Sequence, residues 1–224
     1  SKLEYDQLLA RLHVFAAQET TTTQHIWRVN SKLHINIRLP KSGAKLWVNI
    51  EASSSRAKRR TKMWLEYLLW VAYLNLGEGG ADLERIVVFS DASLRCRGVS
   101  SNQAREYLHS WFKAWEYGQT QPLVLPAALM MKAAEKLKNY HWKLNDEGVI
   151  SIEEMDDVLK NWNEDGKFTG FSVLDNEATK YHRDWQFILE EQDAKVLLED
   201  AIQRFSYDLY APIYQHQQTL EEGC

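Results

Sequence analysis

Apolar residues recur at helical spacing between Leu3 and Gln18, where Leu8, Leu9, Leu12, Phe15 and Ala16 share one face. The threonine run Thr20–Thr23 predicts the end of that helix, because consecutive β-branched residues favour extended backbone. From His25 to Ile50 the period changes to two. Ile26 and Arg28, then Leu33, Ile35, Ile37 and Leu39, then Leu46, Val48 and Ile50 alternate with polar partners, as half-buried strands do. Pro40-Lys41-Ser42-Gly43 separates the last two runs and is a turn signal, so residues 33–50 are expected to form a hairpin.

Ser53, Ser54 and Ser55 offer helix caps ahead of a strong helix in which Trp64, Leu65, Leu68, Leu69, Val71 and Ala72 make a wide apolar face. Gly77-Glu78-Gly79-Gly80 is the expected stop. Arg85 to Ser90 (RIVVFS) reads as a compact buried strand, and Gln103 to Tyr117 as a helix with Leu108, Trp111, Phe112 and Trp115 on one side. Pro122 and Pro126 bracket a short extended piece, with Pro126 suited to the first turn of a following helix. Acidic and turn residues collect from Asn145 to Gly170 around a short helix, Ile152–Trp162, and two helices, Asn176–Leu189 and Gln192–Tyr210, close the chain. This order predicts one α/β domain over residues 1–224, with a core of about 20–125 and a helical extension of about 126–215. A start at Ser1, directly in a helical pattern, is the start expected of a piece of a larger chain.

Composition adds limits. The net charge of −4 gives no global attraction to nucleic acid, so any such contact must be a local patch. Nine tryptophans, ten tyrosines and seven phenylalanines supply apolar area for a substantial core. The two cysteines, Cys96 and Cys224, exclude a disulfide framework and a cysteine-rich zinc site, and they suit a reducing cytoplasm. No apolar run reaches membrane-spanning length.

A hairpin followed by a long helix is an arrangement that metal-dependent nucleases use. That chemistry needs two or three carboxylates at the ends of adjacent strands to hold magnesium, with a lysine to stabilise charge on the phosphate. The stretch from Thr20 to Ile50, which carries all three candidate strands, contains no Asp or Glu. Glu51 follows, but Ala52-Ser53 stand where a basic partner would be wanted. One carboxylate holds magnesium poorly, because the ion keeps its waters unless several oxygens replace them.

Three stretches resemble one family. Lys62-Met63-Trp64-Leu65-Glu66-Tyr67-Leu68 is similar to the helix after the core strands in the RecC C-terminal domain, from the gamma subunit of exodeoxyribonuclease V. Glu116-Tyr117-Gly118-Gln119-Thr120-Gln121-Pro122-Leu123-Val124-Leu125-Pro126 resembles the segment of that domain ending in Pro-Leu-x-Leu-Pro. Tyr181-His182-Arg183-Asp184-Trp185, with Arg204-Phe205 and Tyr210-Ala211-Pro212-Ile213, resembles its terminal helices. The resemblance implies an α/β fold like the PD-(D/E)xK nuclease domain of RecB: a mixed sheet flanked by helices, with a helical C-terminal extension. It also implies loss of the metal ligands. Where the nuclease carries Asp-x-Lys, this chain has Asn49-Ile50-Glu51 or Glu51-Ala52-Ser53, and neither supplies both acid and lysine. The expectation is a non-catalytic scaffold and DNA-strand guide in the RecBCD helicase–nuclease of double-strand-break repair. No catalytic residue, metal or cofactor is expected. RecB, RecD and forked or single-stranded DNA are the expected partners, in the cytoplasm and without a membrane. The rival readings are a metal-dependent nuclease using Glu51 and a stand-alone protein-interaction domain.

Other features divide between structural and functional readings. Arg56, Lys58, Arg59, Arg60 and Lys62 place five cations at the start of a helix, against its dipole. They form either a solvated face or a contact for DNA or an acidic partner. Lys41, Ser42 and Gly43 form the expected hairpin tip and are a candidate pin loop facing forked DNA, a role the resemblance suggests. Asn161–Gly166 mimics half a calcium loop, but Ser172 stands where the bidentate Glu belongs, so a turn is the better reading. The histidines show no zinc-helix spacing. Ser100-Ser101 reads as a helix cap and not a nucleophile, and Trp111 and Trp115 as core rather than a base-stacking platform. Asp146, Glu147, Glu153, Glu154, Asp156 and Asp157 read as a solvated acidic face, or as a contact for a basic partner surface.

Overall fold

A computed structural model of the chain describes residues 19–28, 31, 33–123 and 194–220, with the single positions 6, 9, 125, 127, 130, 131 and 134. The expected helix Leu3–Gln18 apart from positions 6 and 9, the expected helices Ile152–Trp162 and Asn176–Leu189, the half calcium loop and the acidic cluster lie outside the described residues. The elements are β1 (Thr22–Arg28), β2 (His34–Pro40), β3 (Leu46–Ile50), α1 (Ala57–Leu74), β4 (Glu84–Val88), β5 (Ser93–Cys96) and α2 (Ser101–Gly118). They continue with α3 (Ala194–Ala201), a π-helical turn (Ile202–Ser206), α4 (Tyr207–His216) and β6 (Gln217–Leu220). The architecture is mixed α/β with two sheets, one ordered β1-β2 and the other β3-β4-β5-β6. Two compact units divide the chain, one of Ser1–His109 with Gln215–Cys224 and one of Ser110–Tyr214.

The first unit holds both sheets. The expected hairpin over residues 33–50 does not form. β2 pairs antiparallel with β1, from Thr22 opposite Pro40 to Arg28 opposite His34, whereas β3 pairs parallel with β4. The Pro40–Gly43 turn therefore carries the chain from one sheet to the other, with Gly43 at φ +84° and the Ala44 amide donating to the Lys41 carbonyl at 3.2 Å. Burial is the physical reason. β3 has Trp47 and Val48 shielded on opposite faces, as a strand paired in parallel under a crossover helix must be. β2 alternates exposed and covered positions, as an outer ribbon does. The outer edge of β3 is held by Thr20, whose amide donates to the Val48 carbonyl at 2.9 Å and whose hydroxyl accepts from the Val48 amide at 2.9 Å.

α1 covers one face of the four-stranded sheet with Met63, Trp64, Tyr67, Leu68, Trp70 and Val71, all fully shielded. Trp70 meets Trp47 edge-on at 5.8 Å, an arrangement that aligns the ring edge with the opposing π face. On the other face Val48, Ile86 and Val88 form a cluster with Leu46, Ile50 and Leu220. The serines at 53–55 do not cap α1: Arg56 is the N-cap and makes no side-chain cap bond, while Ser55 is held instead by Asp91 at 2.7 Å. α1 ends before the glycines, at Asn75, whose left-handed backbone (φ 53°) turns its amide onto the Ala72 carbonyl. Gly80 has φ +103° and lies so close to Val71 and Ser101 that a Cβ would stand 3.2 Å from Val71 Cγ1. The cap expected at Ser100 is present. Its hydroxyl accepts from the Gln103 amide at 3.2 Å, and the Gln103 side chain accepts from the Ser100 amide at 3.0 Å. Among the described residues no helix is long and apolar enough to cross a membrane.

β5 and β6 were not expected from the pattern. β6 adds the last described strand to β5, with Gln217 opposite Cys96, and completes the sheet with residues more than a hundred positions away in the chain. In the second unit the expected helix Gln192–Tyr210 is observed as α3, the π turn and α4, and it continues through Pro212 to His216. Phe205 and Trp111 meet Tyr117 and Tyr210 respectively at 5.4 and 5.5 Å, whereas Trp115, expected in the core, is 52% exposed.

His216, the last residue of α4, stacks on Trp64 with planes 10° apart. Its Nδ1 lies 3.2 Å from the Arg97 carbonyl, which fits a neutral ring with the proton on Nδ1. Burial holds this imidazole below its ordinary value of 6.5, and the Arg97 carbonyl opposes the shift. A folded value below the unfolded one means that the unfolded chain takes the proton first. The stabilisation is complete above about pH 6.5 and is lost as pH falls below it. Urea midpoints measured from pH 7.5 to 5 are expected to fall on the acid side, and less steeply in His216→Phe, which keeps a ring but cannot titrate. Equal slopes for the two proteins would remove this account.

Candidate functional site

Strand β3 ends at Ile50, and the Glu51 amide continues the parallel ladder by donating to the Val88 carbonyl at 2.9 Å. Side chains at Trp47, Asn49 and Glu51 therefore point to one face, the face that α1 covers, and Arg85 of β4 stands beside Trp47 in register. Arg85 is the charge of this site. Its side chain is 2% exposed, yet it carries a guanidinium that proteins do not deprotonate.

Several groups neutralise and orient it. One guanidinium nitrogen donates to the Asn49 side-chain oxygen at 2.9 Å, and another forms an ion pair with Glu66 of α1. The guanidinium carbon lies 3.7 Å from the centre of the Trp47 ring, a cation–π contact in a desolvated setting. Burial pushes the Arg85 pKa down, and Glu66 is the chief opposing influence. Arginine begins so high that the charge persists. Lys62, one turn before Glu66, bridges the two acids, 3.8 Å from Glu66 and 3.6 Å from Glu51. The result is an alternating row, Arg85, Glu66, Lys62, Glu51, that runs from the core to the surface.

The Cys96 thiol lies on the same face, pushed up to about 12 by burial, and it accepts weakly from Gln217 at 3.6 Å. At that value it is a neutral, inert side chain. Among the described residues no group of three or more His, Cys, Asp or Glu side chains could hold a metal ion. Glu51 has Glu66 as its acidic neighbour across Lys62, and Glu66 is already engaged by Arg85.

The five cations at the start of α1 have different surroundings. Arg59 donates to the Ser54 carbonyl at 3.0 Å, and Arg60 donates to the Gln217 side chain at 2.7 Å, fastening β6 to the helix. Lys62 belongs to the acidic row. Arg56 and Lys58 are exposed and take part in no ion pair among the described residues. Lys41, Ser42 and Gly43 are in the exposed turn between the two sheets, not at a hairpin tip.

A second surface is the β1–β2 ribbon. His25 and Trp27 pack against Tyr73 of α1, with ring centres at 5.3 and 6.4 Å, and this fixes the ribbon's inner face. The outer face presents the cross-strand pairs Gln24–Arg38, Ile26–Asn36 and Arg28–His34, all six exposed. Arg28 donates to His34 at 3.0 Å, and Ile26 is 71% exposed. Because the stretch has no Asp or Glu, this face holds cations and amides without a carboxylate. Neither Arg85 with Glu66 nor the ribbon face stood out in the sequence. The available signals were a lone charge opening the apolar run RIVVFS, and arginines in phase with Ile26.

Residues 2–138 match the family described as the RecC C-terminal domain. The matched stretch includes Lys62–Leu68 and Glu116–Pro126, while the terminal tail lies beyond it. No curated protein matches the chain.

The ion pair makes a direct prediction. Glu66→Ala leaves the Arg85 charge buried without its counter-ion, and stability is expected to fall by about 3 kcal/mol. That is the low end for breaking a buried pair, since Glu66 keeps partial contact with water. Chemical denaturation measures it; a loss under about 1 kcal/mol would mean that Asn49 and Trp47 suffice.

Proposed function

Because the chain belongs to the RecC C-terminal domain family, we propose that it works as a non-catalytic scaffold and DNA-strand guide within the RecBCD helicase–nuclease. In this reading its partners are RecB, RecD and forked or single-stranded DNA, and it acts in the cytoplasm in double-strand-break repair. A nuclease-like PD-(D/E)xK core, a single domain with its core at about 20–125 and a helical extension at about 126–215, belong to the same proposal.

The observation that carries the guiding role is the outer face of the β1–β2 ribbon. A strand of nucleic acid repels carboxylates and is held by cations through its phosphates, while an exposed aliphatic side chain can lie against a base. Arg28, Arg38 and His34 with Gln24, Asn36 and Ile26 supply that combination on an anchored ribbon. Arg56 and Lys58 are the members of the basic cluster that remain available for a phosphate or an acidic partner, since Arg59, Arg60 and Lys62 are engaged within the fold. A contact by Lys41, Ser42 and Gly43 with forked DNA is part of the proposal as a turn. The absence of catalysis is supported by the Arg85–Glu66 pair and by Lys62 on Glu51.

Arg28→Ala/Arg38→Ala in the reconstituted complex is expected to weaken binding to forked DNA and to reduce the dependence of log K on log salt by about 1–2, as for one or two lost phosphate contacts. Unchanged affinity and salt slope would remove the ribbon from the DNA path.

A further inference from the structure

Strand β1 leaves one edge of its backbone open. It pairs with β2 alone, and among the described residues no other backbone hydrogen bond reaches Thr22–Arg28. Each of its seven residues is exposed or half-buried. An open strand edge presents amides and carbonyls as a template for another chain, and proteins ordinarily blunt it with proline, lysine, a bulge or a short strand. β1 has none of these. Its sequence is TTQHIWR, and its register with β2 runs residue for residue from Thr22 to Arg28 without a bulge. Its one charge, Arg28, sits at the end. β2 is the poorer edge, because Pro40 closes it with no amide to donate. The ribbon is also fixed before any partner arrives, since His25 and Trp27 pack on Tyr73 of α1, and a fixed edge loses little freedom on binding.

We infer that the open edge of β1 receives an extended acidic segment of a partner protein as an added strand. The backbone decides the class of partner. A phosphate backbone only accepts hydrogen bonds, so it answers the amides of the edge and not the carbonyls between them, whereas a peptide strand answers both. The side chains decide the charge. The face that an added strand would extend carries Gln24, Ile26 and Arg28, backed by Arg38 and His34, and the ribbon contains no Asp or Glu. A carboxylate opposite Arg28 makes a cross-strand ion pair, and an aliphatic side chain covers Ile26, which is 71% exposed. A second copy of this chain fits worse, since it repeats the same cations and brings no acid to meet them. The inference goes beyond the guiding role and stands without it, because the peptide uses the backbone edge of the ribbon and DNA its outer face.

The test uses the full chain and a fluorescein-labelled peptide, Glu-Thr-Val-Thr-Glu-Thr-Val-Thr, with a version in which lysine replaces glutamate. Two further versions are N-methylated at alternate residues, one in each phase, so that only one of them loses the amides that would face β1. Fluorescence anisotropy at low salt is expected to show binding of the glutamate peptide, lost in one N-methyl phase and kept in the other. Arg28→Glu should weaken the glutamate peptide about fivefold or more and strengthen the lysine one. Peptide binding should slow amide exchange at alternate residues of Thr22–Arg28, those whose N–H points away from β2. No binding at millimolar peptide overturns the inference. So does binding that both N-methyl phases affect equally, which would be charge adsorption on the face. Slowed exchange at those amides in concentrated protein without peptide would give the edge to a second copy, and slowing by single-stranded DNA would give it to nucleic acid; either result overturns the inference.

Discussion

A positive charge that cannot be given up lies under α1, and the surrounding elements answer to it. Leaving the Arg85 guanidinium unpaired would cost several kcal/mol in a shielded site. The neutralising groups come from three places: Asn49 on β3, Glu66 on α1 and the face of Trp47. Each group fixes a relation between elements. The Asn49 bond holds β3 and β4 in the register that sets Trp47 beside Arg85. The Glu66 pair sets the rotation of α1 about its axis, which in turn directs Trp64, Tyr67 and Trp70 into the sheet. Lys62 then links the buried charges to Glu51 at the strand end, so the charge row also decides what that carboxylate can do.

The other end of the same helix face is closed by distant chain. Arg60 bonds Gln217, Gln217 reaches Cys96, and His216 stacks on Trp64. A basic segment at a helix start, which works against the helix dipole, is thereby put to structural use. Tyr73 fastens the ribbon at the far end of α1 through His25 and Trp27. One helix thus organises the sheet, its closing strand and the ribbon. Among the described residues, Arg28 and Arg38 on the ribbon and Arg56 and Lys58 at the first turn of α1 are exposed and take part in no ion pair.

The long helices were legible because their cause is local. Trp64 to Ala72 and Leu108 to Trp115 repeat apolar residues at the helical period, and Ser100-Ser101 offered a cap at the start of the second. The alternating runs at Ile26–Arg28, Leu33–Leu39 and Leu46–Ile50 were legible for the same reason, but their partners were not. A turn signal at Pro40–Gly43 fits a hairpin and a change of sheet equally well, and only the two-sided burial of β3 separates them. β5 and β6 are four residues each, too short for a period to show, and they are strands because they pair. The last helix was expected to end at Tyr210, yet α4 runs on through Pro212: there the helix gives up one backbone bond, and the residues from Leu209 to Ile213 stay buried on both sides of it.

By itself the sequence determined where carboxylates are missing, which excludes a full set of acidic ligands from the first three strands, and it determined the family. Counting residues requires no knowledge of what lies near what. The tertiary structure decided everything that depends on long-range neighbours. It turned Arg85 from the first letter of an apolar run into a buried counter-charge. It gave Arg59, Arg60 and Lys62 partners within the fold and left Arg56 and Lys58 without an ion pair among the described residues, and it set the arginines at 28 and 38 on one acid-free face. Electrostatic energy depends on distance and on exclusion of water, and both exist only once the chain has brought remote residues together.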